Sequence, residues 1–331
     1  MITTVPRVAT ATRIDNRILF LISIIGISIL IFDLLNSFSP LGIVVGVFST
    51  LLFFEVCKTA LLRRFCSPPI NKYPCLDESE TTSISTSNDG VHVHGHARWK
   101  DGQAPLLLMI HGWTSNSIGT FERAKDFTDY HIVTVDLRGH GHGAKDPEFT
   151  AVKCASDTAA LLDSLPQDKI ENIVIWGHSL GAFIALRLVS KYQGWWNEKV
   201  DSMILESPMT NYNLIFDEYL PHFLKILQPL VEKMVWKAWG KIHPDQPINA
   251  PEDVMLPKWG MPTCRTIIFQ PKVDIRLGSA HYDLLMQHIG DDCESHVLDD
   301  LTHSGSKINL TRNNLIRQFL DYSSPSREPF V

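Results

Sequence analysis

Ser179 stands between Gly177 and Gly181 in the run NIVIWGHSLGAFIALRL, residues 172–188. A serine hydroxyl is a weak nucleophile at neutral pH; it attacks a carbonyl only when a base takes its proton and an acid orients that base. The Gly-x-Ser-x-Gly pattern alone decides little: glycine and serine are each common (~7% of residues), and roughly one chain in ten of this size carries it by chance. Its setting decides more. A β-branched apolar run precedes it and a helical pattern follows, so the serine falls at a sharp strand-to-helix turn whose neighbours must be small. Gly177, Gly181 and Ala182 meet that need. The hydroxyl then projects above the C-terminal edge of a sheet, and the helix N-terminus offers N–H groups to a developing anion.

A nucleophile so placed predicts an acid and then a base, each just beyond a later strand. In TIIFQPKVDIRL, Asp274 follows the apolar run by four residues, and in SHVLDDLTHSGS, His303 occupies the loop after the strand. The order Ser179, Asp274, His303 is the expected one. His303 is preferred to His296, which lies inside a strand. Asp274 is preferred to Glu206, which ends an earlier strand, and to the strand-end carboxylates Asp299 and Asp300. An oxyanion hole completes the set: the backbone N–H of Leu180 is one donor, and Trp113, in the loop after PLLLMIHGW, is placed to give the second. Gly112 allows close approach there, and His111 reads as structural.

These residues need a scaffold. Apolar runs at 92–99, 105–112, 131–139, 172–177, 201–208, 263–270 and 295–300 read as strands, the first as an edge strand. Helical patterns occupy 150–165, the segment after Ser179, 278–289 and 309–322. Strands alternating with helices predict an α/β fold, a mostly parallel sheet with helices on both faces. Residues 209–262 interrupt that rhythm. Phe216, Leu220, Phe223, Leu227, Leu230 and Met234 recur there at helical spacing, with Pro221 and Pro229 between them, which reads as a helical lid insertion. Packing of its apolar stripe on the domain is preferred to an exposed lipid-sensing face, though both can hold at once.

The chain from about Gly90 to Tyr322 resembles the α/β-hydrolase superfamily. The matching motifs are HGW at 111–113, DLRGHG at 136–141, GHSLG at 177–181 and the Asp274 and His303 loops. The run ILESPM at 204–209 and the lid position resemble the serine aminopeptidase-like and monoacylglycerol-lipase-like branch. The resemblance implies an α/β-hydrolase fold, Ser179 as nucleophile, Asp274 as acid, His303 as base, and Trp113 and Leu180 as oxyanion donors. Two departures stand out: QPKVD at 270–274 replaces the family's Gly-x-x-Asp, and GHGHGAK at 139–145 replaces its GHGxS. The expected activity is that of a serine hydrolase cleaving an ester or related acyl bond, on a small acyl ester or lipid-like substrate and without a cofactor. The same residues would serve a serine peptidase or an acyltransferase. A non-catalytic hydrolase-like binding module is the reading from another class, but it has no need to keep Ser, Asp and His in register.

Other chemistry-bearing residues carry less. His92, His94 and His96 share one strand face, with His140 and His142 elsewhere; no carboxylate or cysteine is seen to complete a zinc site, and no metal is expected. Gly139, Gly141 and Gly143 mimic a phosphate loop but lack the following Lys-Ser/Thr. The pairs Trp195–Trp196 and Trp236/Trp239 read as packing or interfacial anchors. Six cysteines show no metal spacing; Cys66 and Cys75 could pair if exported, and free thiols are the expectation.

At 331 residues with a net charge of -6, the chain is large enough for a sizeable core and is no nucleic-acid binder. Its N-terminal part is the greasiest. Two apolar segments, 18–35 and 41–57, flank Asn36–Pro40 and predict a transmembrane helical hairpin within a membrane anchor of residues 1–64. A cleaved signal peptide is disfavoured by the second apolar run. Arg7, Arg13 and Arg17 before the hairpin, and Lys58, Arg63 and Arg64 after it, predict both ends, and the catalytic domain, on the cytoplasmic side of an inner or cell membrane. Residues 65–89, rich in Ser, Thr and Pro, read as a linker, leaving 90–331 as the hydrolase domain with its lid at 209–262.

Overall fold

The computed structural model describes residues 16–36, 40–66, 81–144, 149–219, 222–242, 248–290, 293–305 and 307–321. The strands are β1 (Thr82–Asn88), β2 (Val91–Arg98), β3 (Ala104–Ile110), β4 (His131–Asp136), β5 (Ile170–His178), β6 (Val200–Glu206), β7 (Arg265–Pro271) and β8 (Cys293–Leu298). The helices are α1 (Asn16–Asn36), α2 (Pro40–Cys66), α3 (Ser117–Arg123), α4 (Ala151–Asp163), α5 (Leu180–Lys191), α6 (Leu214–Tyr219), α7 (Gln228–Ile242), α8 (Ala280–Met286) and α9 (Leu310–Asp321). They fall into two units: Met1–Ser67 with Ile226–Asn249, and Pro68–Lys225 with Ala250–Val331.

The second unit holds an eight-stranded sheet in the order β1-β2-β4-β3-β5-β6-β7-β8. Strands β1, β2 and β4 pair antiparallel, and from β4 across to β8 every pairing is parallel. The central strands are buried on both faces, which is why they read as continuous apolar runs rather than as alternations. On one face Leu107, Met109, Trp176 and Phe269 pack with Phe127 and Ile316 in a single core cluster.

The start of the domain corrects the sequence reading. Part of the expected linker 65–89 is strand β1, joined to β2 by Asp89 and Gly90 at φ 52° and 74°. Both turn residues take the left-handed conformation of a tight hairpin, which Asp-Gly supports with little strain. Consequently 92–99 is not the edge strand; β2 is covered by β1 on one side and β4 on the other. Helix α3 is the second addition. Its N-cap is Asn116, whose side chain accepts the Gly119 amide, and its short Ser/Gly-rich sequence carries no apolar period long enough to announce it.

In the first unit, α1 and α2 lie side by side through small residues. A Cβ added at Gly26 would collide with Ser49, and one added at Gly46 would stand 2.3 Å from Leu30 Cβ. Their outer faces are apolar, with Ile25, Phe32, Leu35, Val44 and Phe48 exposed. Both predicted segments are therefore helical, but among the described residues no helix is long and apolar enough to cross a membrane. The block 209–262 is helical as expected, yet it is divided. Its stretch Ile226–Asn249 groups with the N-terminal helices, where α7 contacts α2. The buried face of α7 is Val231, Val235, Trp236 and Trp239, whereas Leu230 is exposed. Leu220, Pro221 and the proposed Cys66–Cys75 pairing lie outside the described residues or side chains; Cys264 is a free thiol.

Candidate active site

Strand β5 runs straight into α5 through Ser179, which sits at φ 54° and ψ -117°. A side chain rarely tolerates that backbone, and the surroundings hold it there. The Ser179 amide donates to the Glu206 carbonyl at the end of β6 (2.9 Å), and the Ser179 carbonyl accepts the amides of Ala182 and Met209. Close packing makes the flanking glycines obligatory. A Cβ on Gly181 would lie 2.0 Å from the Ile110 carbonyl oxygen, and one on Gly177 would lie 2.5 Å from Ala182 Cα.

Above this elbow three side chains form one row. His303 Nε2 is 3.0 Å from Ser179 Oγ, and its Nδ1 is 2.8 Å from Asp274 Oδ2. The other oxygen of Asp274 accepts the amides of Arg276 and Leu277 at 2.8 and 2.9 Å. Burial alone would raise the Asp274 carboxyl, but the His303 hydrogen bond and these amides outweigh it and hold it below the usual carboxylate range. An ionised Asp274 accepts the Nδ1 hydrogen, which turns Nε2 toward the Ser179 hydroxyl. All three side chains are nearly sealed from solvent, at 8% for Ser179, 7% for His303 and 1% for the Asp274 carboxylate.

The rivals are engaged elsewhere. His296 stacks on Phe269 within β8, Asp299 pairs with Lys272, and Asp300 accepts Thr311. Glu206 is fully buried and takes Arg123, Arg312 and the Trp176 indole. Burial works against its charge, yet the two guanidiniums bring its carboxyl down to about 2. This ion pair network lies directly beneath the elbow and is structural in form.

The loop after β3 comes where the sequence put it. A Cβ on Gly112 would be 3.0 Å from Ser179 Cβ, so the glycine brings this loop against Ser179. The Trp113 ring is wedged edge-on between His140 and Phe149 at centroid distances of 5.2 and 4.9 Å. His111 accepts the Leu137 amide through Nε2 and donates to the Gly112 carbonyl through Nδ1, which ties the β3 and β4 loops together. Burial keeps it neutral.

Two features escaped the sequence reading. His178 Nε2 lies 2.6 Å from the His303 carbonyl oxygen and donates to it, so the residue beside Ser179 also grips the loop that carries His303. Burial, with Arg123 nearby, lowers His178 to about 3 and keeps it neutral. The second concerns the histidines of β2. The fold supplies the carboxylate that the sequence did not reveal: Asp136 meets His94, His96 and His142, with one ligand atom of each within 4.8 Å of the others. Their adjacency depends on the β2–β4 register, which leaves no local trace.

Comparison with known proteins follows the same lines. Residues 105–237 match the family model of the alpha/beta hydrolase fold. A lysophosphatidylserine lipase of Danio rerio (ABHD12) is 31% identical over 41% of this chain and 42% of its own length. A 1-acylglycerol-3-phosphate O-acyltransferase of Arabidopsis thaliana is 28% identical over 37% of this chain and 29% of its own. The chain thus spans well under half of either relative. Among solved structures, a bacterial membrane phospholipase A superposes with a TM-score of 0.53 over 93% of this chain and 99% of its own, at 17% identity, a likeness of fold. With its mostly parallel eight-stranded sheet turning into a helix at a strained serine, the chain has the alpha/beta hydrolase fold.

Proposed function

We propose that the protein is a serine hydrolase that cleaves an ester or related acyl bond of a lipid-like substrate. What carries the reading is the row from Ser179 Oγ through His303 to Asp274, with spacings of 3.0 and 2.8 Å. Ser179 attacks the carbonyl carbon while His303 Nε2 takes its proton, and Asp274 stabilises the imidazolium that forms. The backbone N–H groups of Leu180 and Trp113 receive the oxyanion, a contribution worth about 2.7–4 kcal/mol per donor where such donors have been removed. His303 then protonates the departing alcohol. Water, activated by the same imidazole, releases the acid and restores Ser179. The lipid-like substrate is supported by the two relatives, a lysophospholipid lipase and a lysophospholipid acyltransferase by name.

The test is covalent labelling with a fluorophosphonate. Wild-type protein should label and Ser179→Ala should not, at an unchanged circular dichroism spectrum; labelling that persists in Ser179→Ala would sink the assignment. A second reading, acyl transfer to an alcohol in place of water, is favoured by the plant relative. Added lysophospholipid would then divert the acyl group into diacyl product rather than free acid.

We further propose that α1 and α2 anchor the protein in a membrane with both ends on the cytoplasmic side. The exposed Ile25, Phe32, Leu35, Val44 and Phe48 support contact with lipid, and the flanking arginines and lysines support the orientation. A hairpin with both ends on one face requires burial in the apolar layer, not a complete crossing. Replacing Ile25, Phe32, Val44 and Phe48 together by Ser should move the protein from the alkali-resistant membrane pellet to the supernatant.

A further inference from the structure

The antiparallel register of β2 on β4 places His94 opposite Asp136 and His96 opposite Thr134. With a side-chain period of two, His94 and His96 therefore face the same side of the sheet. The chain after β4 turns back through Gly139 and Gly141, both at positive φ, and returns His142 to the carboxylate that it left six residues earlier. The His142 amide donates to Asp136 Oδ2 at 3.1 Å, and its ring Nδ1 is 3.9 Å from the same oxygen. His94 Nδ1 lies 3.0 Å from that oxygen and His96 Nε2 4.0 Å. Three imidazoles thus converge on one carboxylate oxygen.

The surroundings hold the four groups in place. The Ser117 amide donates to the other oxygen of Asp136 at 2.9 Å and fixes the carboxylate plane. A Cβ on Gly141 would fall 2.2 Å from Asp136 Oδ1, so only glycine lets the turn come this close. The far nitrogen of His94 meets Ser83 Oγ of β1 at 2.9 Å. Nδ1–H donates to Asp136 Oδ2; on binding an ion, Nδ1 would turn its lone pair to the ion and Nε2–H would donate to the Ser83 hydroxyl, the outer-shell support that metal-binding histidines usually have. His94, His96 and Asp136 are buried, whereas 44% of the His142 side chain is exposed, which gives an ion a way in.

We propose that His94, His96, Asp136 and His142 form a site for a divalent transition ion of the zinc class, separate from the Ser179 row. Three imidazole nitrogens and one carboxylate oxygen are the donors that zinc and its neighbours in the series favour, and calcium and magnesium do not. Tetrahedral bonds of ~2.0–2.1 Å place donors ~3.3 Å apart, so the cage, whose ligand atoms lie within 4.8 Å of one another, closes by up to about 1.5 Å at its widest. No position is left over for substrate once four protein ligands are engaged, which makes the site a structural clasp. It would join the β1–β2 hairpin to the turn after β4, two places where the sequence departs from a simple parallel design.

The experiment uses the untagged full-length chain, stripped with chelator and titrated with Zn2+ or Co2+. One equivalent should bind, Co2+ should develop the strong visible bands of four-coordinate geometry, and Zn2+ should raise the melting temperature. His142→Ala, at the half-exposed position, and His96→Ala should each weaken binding at least about 10-fold, while His296→Ala on β8 leaves it unchanged. Absence of stoichiometric binding tighter than ~10 µM, or equal affinity in wild type and His142→Ala, overturns the proposal. Because the readout is binding, it is independent of whether Ser179 proves to be the nucleophile, and Ser179→Ala should bind the ion as wild type does.

Discussion

At the scale of single residues, the site is a chain of constraints that converge on His303. Its ring is oriented from one side by an ionised Asp274 and its backbone from the other by His178. His178→Phe keeps the bulk and removes the donor. With His303 as the proposed base, it should lower kcat by about 10- to 100-fold with little change in KM, since misalignment costs rate rather than binding. His178→Gln, which retains a donor, should recover much of the loss; steady-state kinetics on a p-nitrophenyl ester checks both. The strand-end positions of Ser179, Asp274 and His303 were legible in the sequence because each follows a recognisable strand, and the strand positions fix where the loops go. It left His178 unread because GHSLG specifies the serine's turn, whereas the partner of His178 lies 125 residues away.

At the scale of elements, the elbow depends on the packing of α5 against the end of β3. Gly181→Ala sets a methyl group 2.0 Å from the Ile110 carbonyl oxygen, a backbone atom that cannot swing aside. The expected cost is about 3 kcal/mol, read from urea unfolding, and loss of fluorophosphonate labelling even where the fold survives. The parallel strands were legible for the same reason that they are stable: burial on both faces writes a continuous apolar run. Strand β1 was not, because its alternation TSISTSN uses Ser and Thr on both faces with Ile84 as the one large apolar residue. The Asp89–Gly90 turn was the available signal. His94 and Asp136 illustrate the limit, since neither residue announces a pairing that only the β2–β4 register creates.

At the scale of the whole molecule, stability should depend on pH in two steps. His178 and His281 are buried and neutral, brought down to about 3 and about 4 chiefly by burial. In the unfolded chain each takes up a proton below its ordinary value of ~6.5, while the folded chain cannot. Their contribution is therefore present above that value and is lost as pH falls through it, with a slope approaching about 1.4 kcal/mol per pH unit for each histidine. Asp274 and Glu206, held below the usual range, add a second loss beginning near pH 4 as the unfolded carboxylates bind protons. Urea titrations at successive pH values should show stability falling from about pH 6.5 downward and more steeply below 4; a flat profile between 6.5 and 4 would contradict the neutral, buried state of the two histidines.

The division of the chain has a consequence for its synthesis. The unit that begins with α1 and α2 is completed only by Ile226–Asn249, which contains α7. Between them the ribosome must make most of the sheet domain. At ~5–20 residues per second this interval lasts about 10–35 s. During that time the hairpin is translated but lacks its third helix, so the part of α2 that α7 contacts is uncovered. On the proposed membrane reading, the hairpin meets lipid early, before Ser179 has a sheet to stand on.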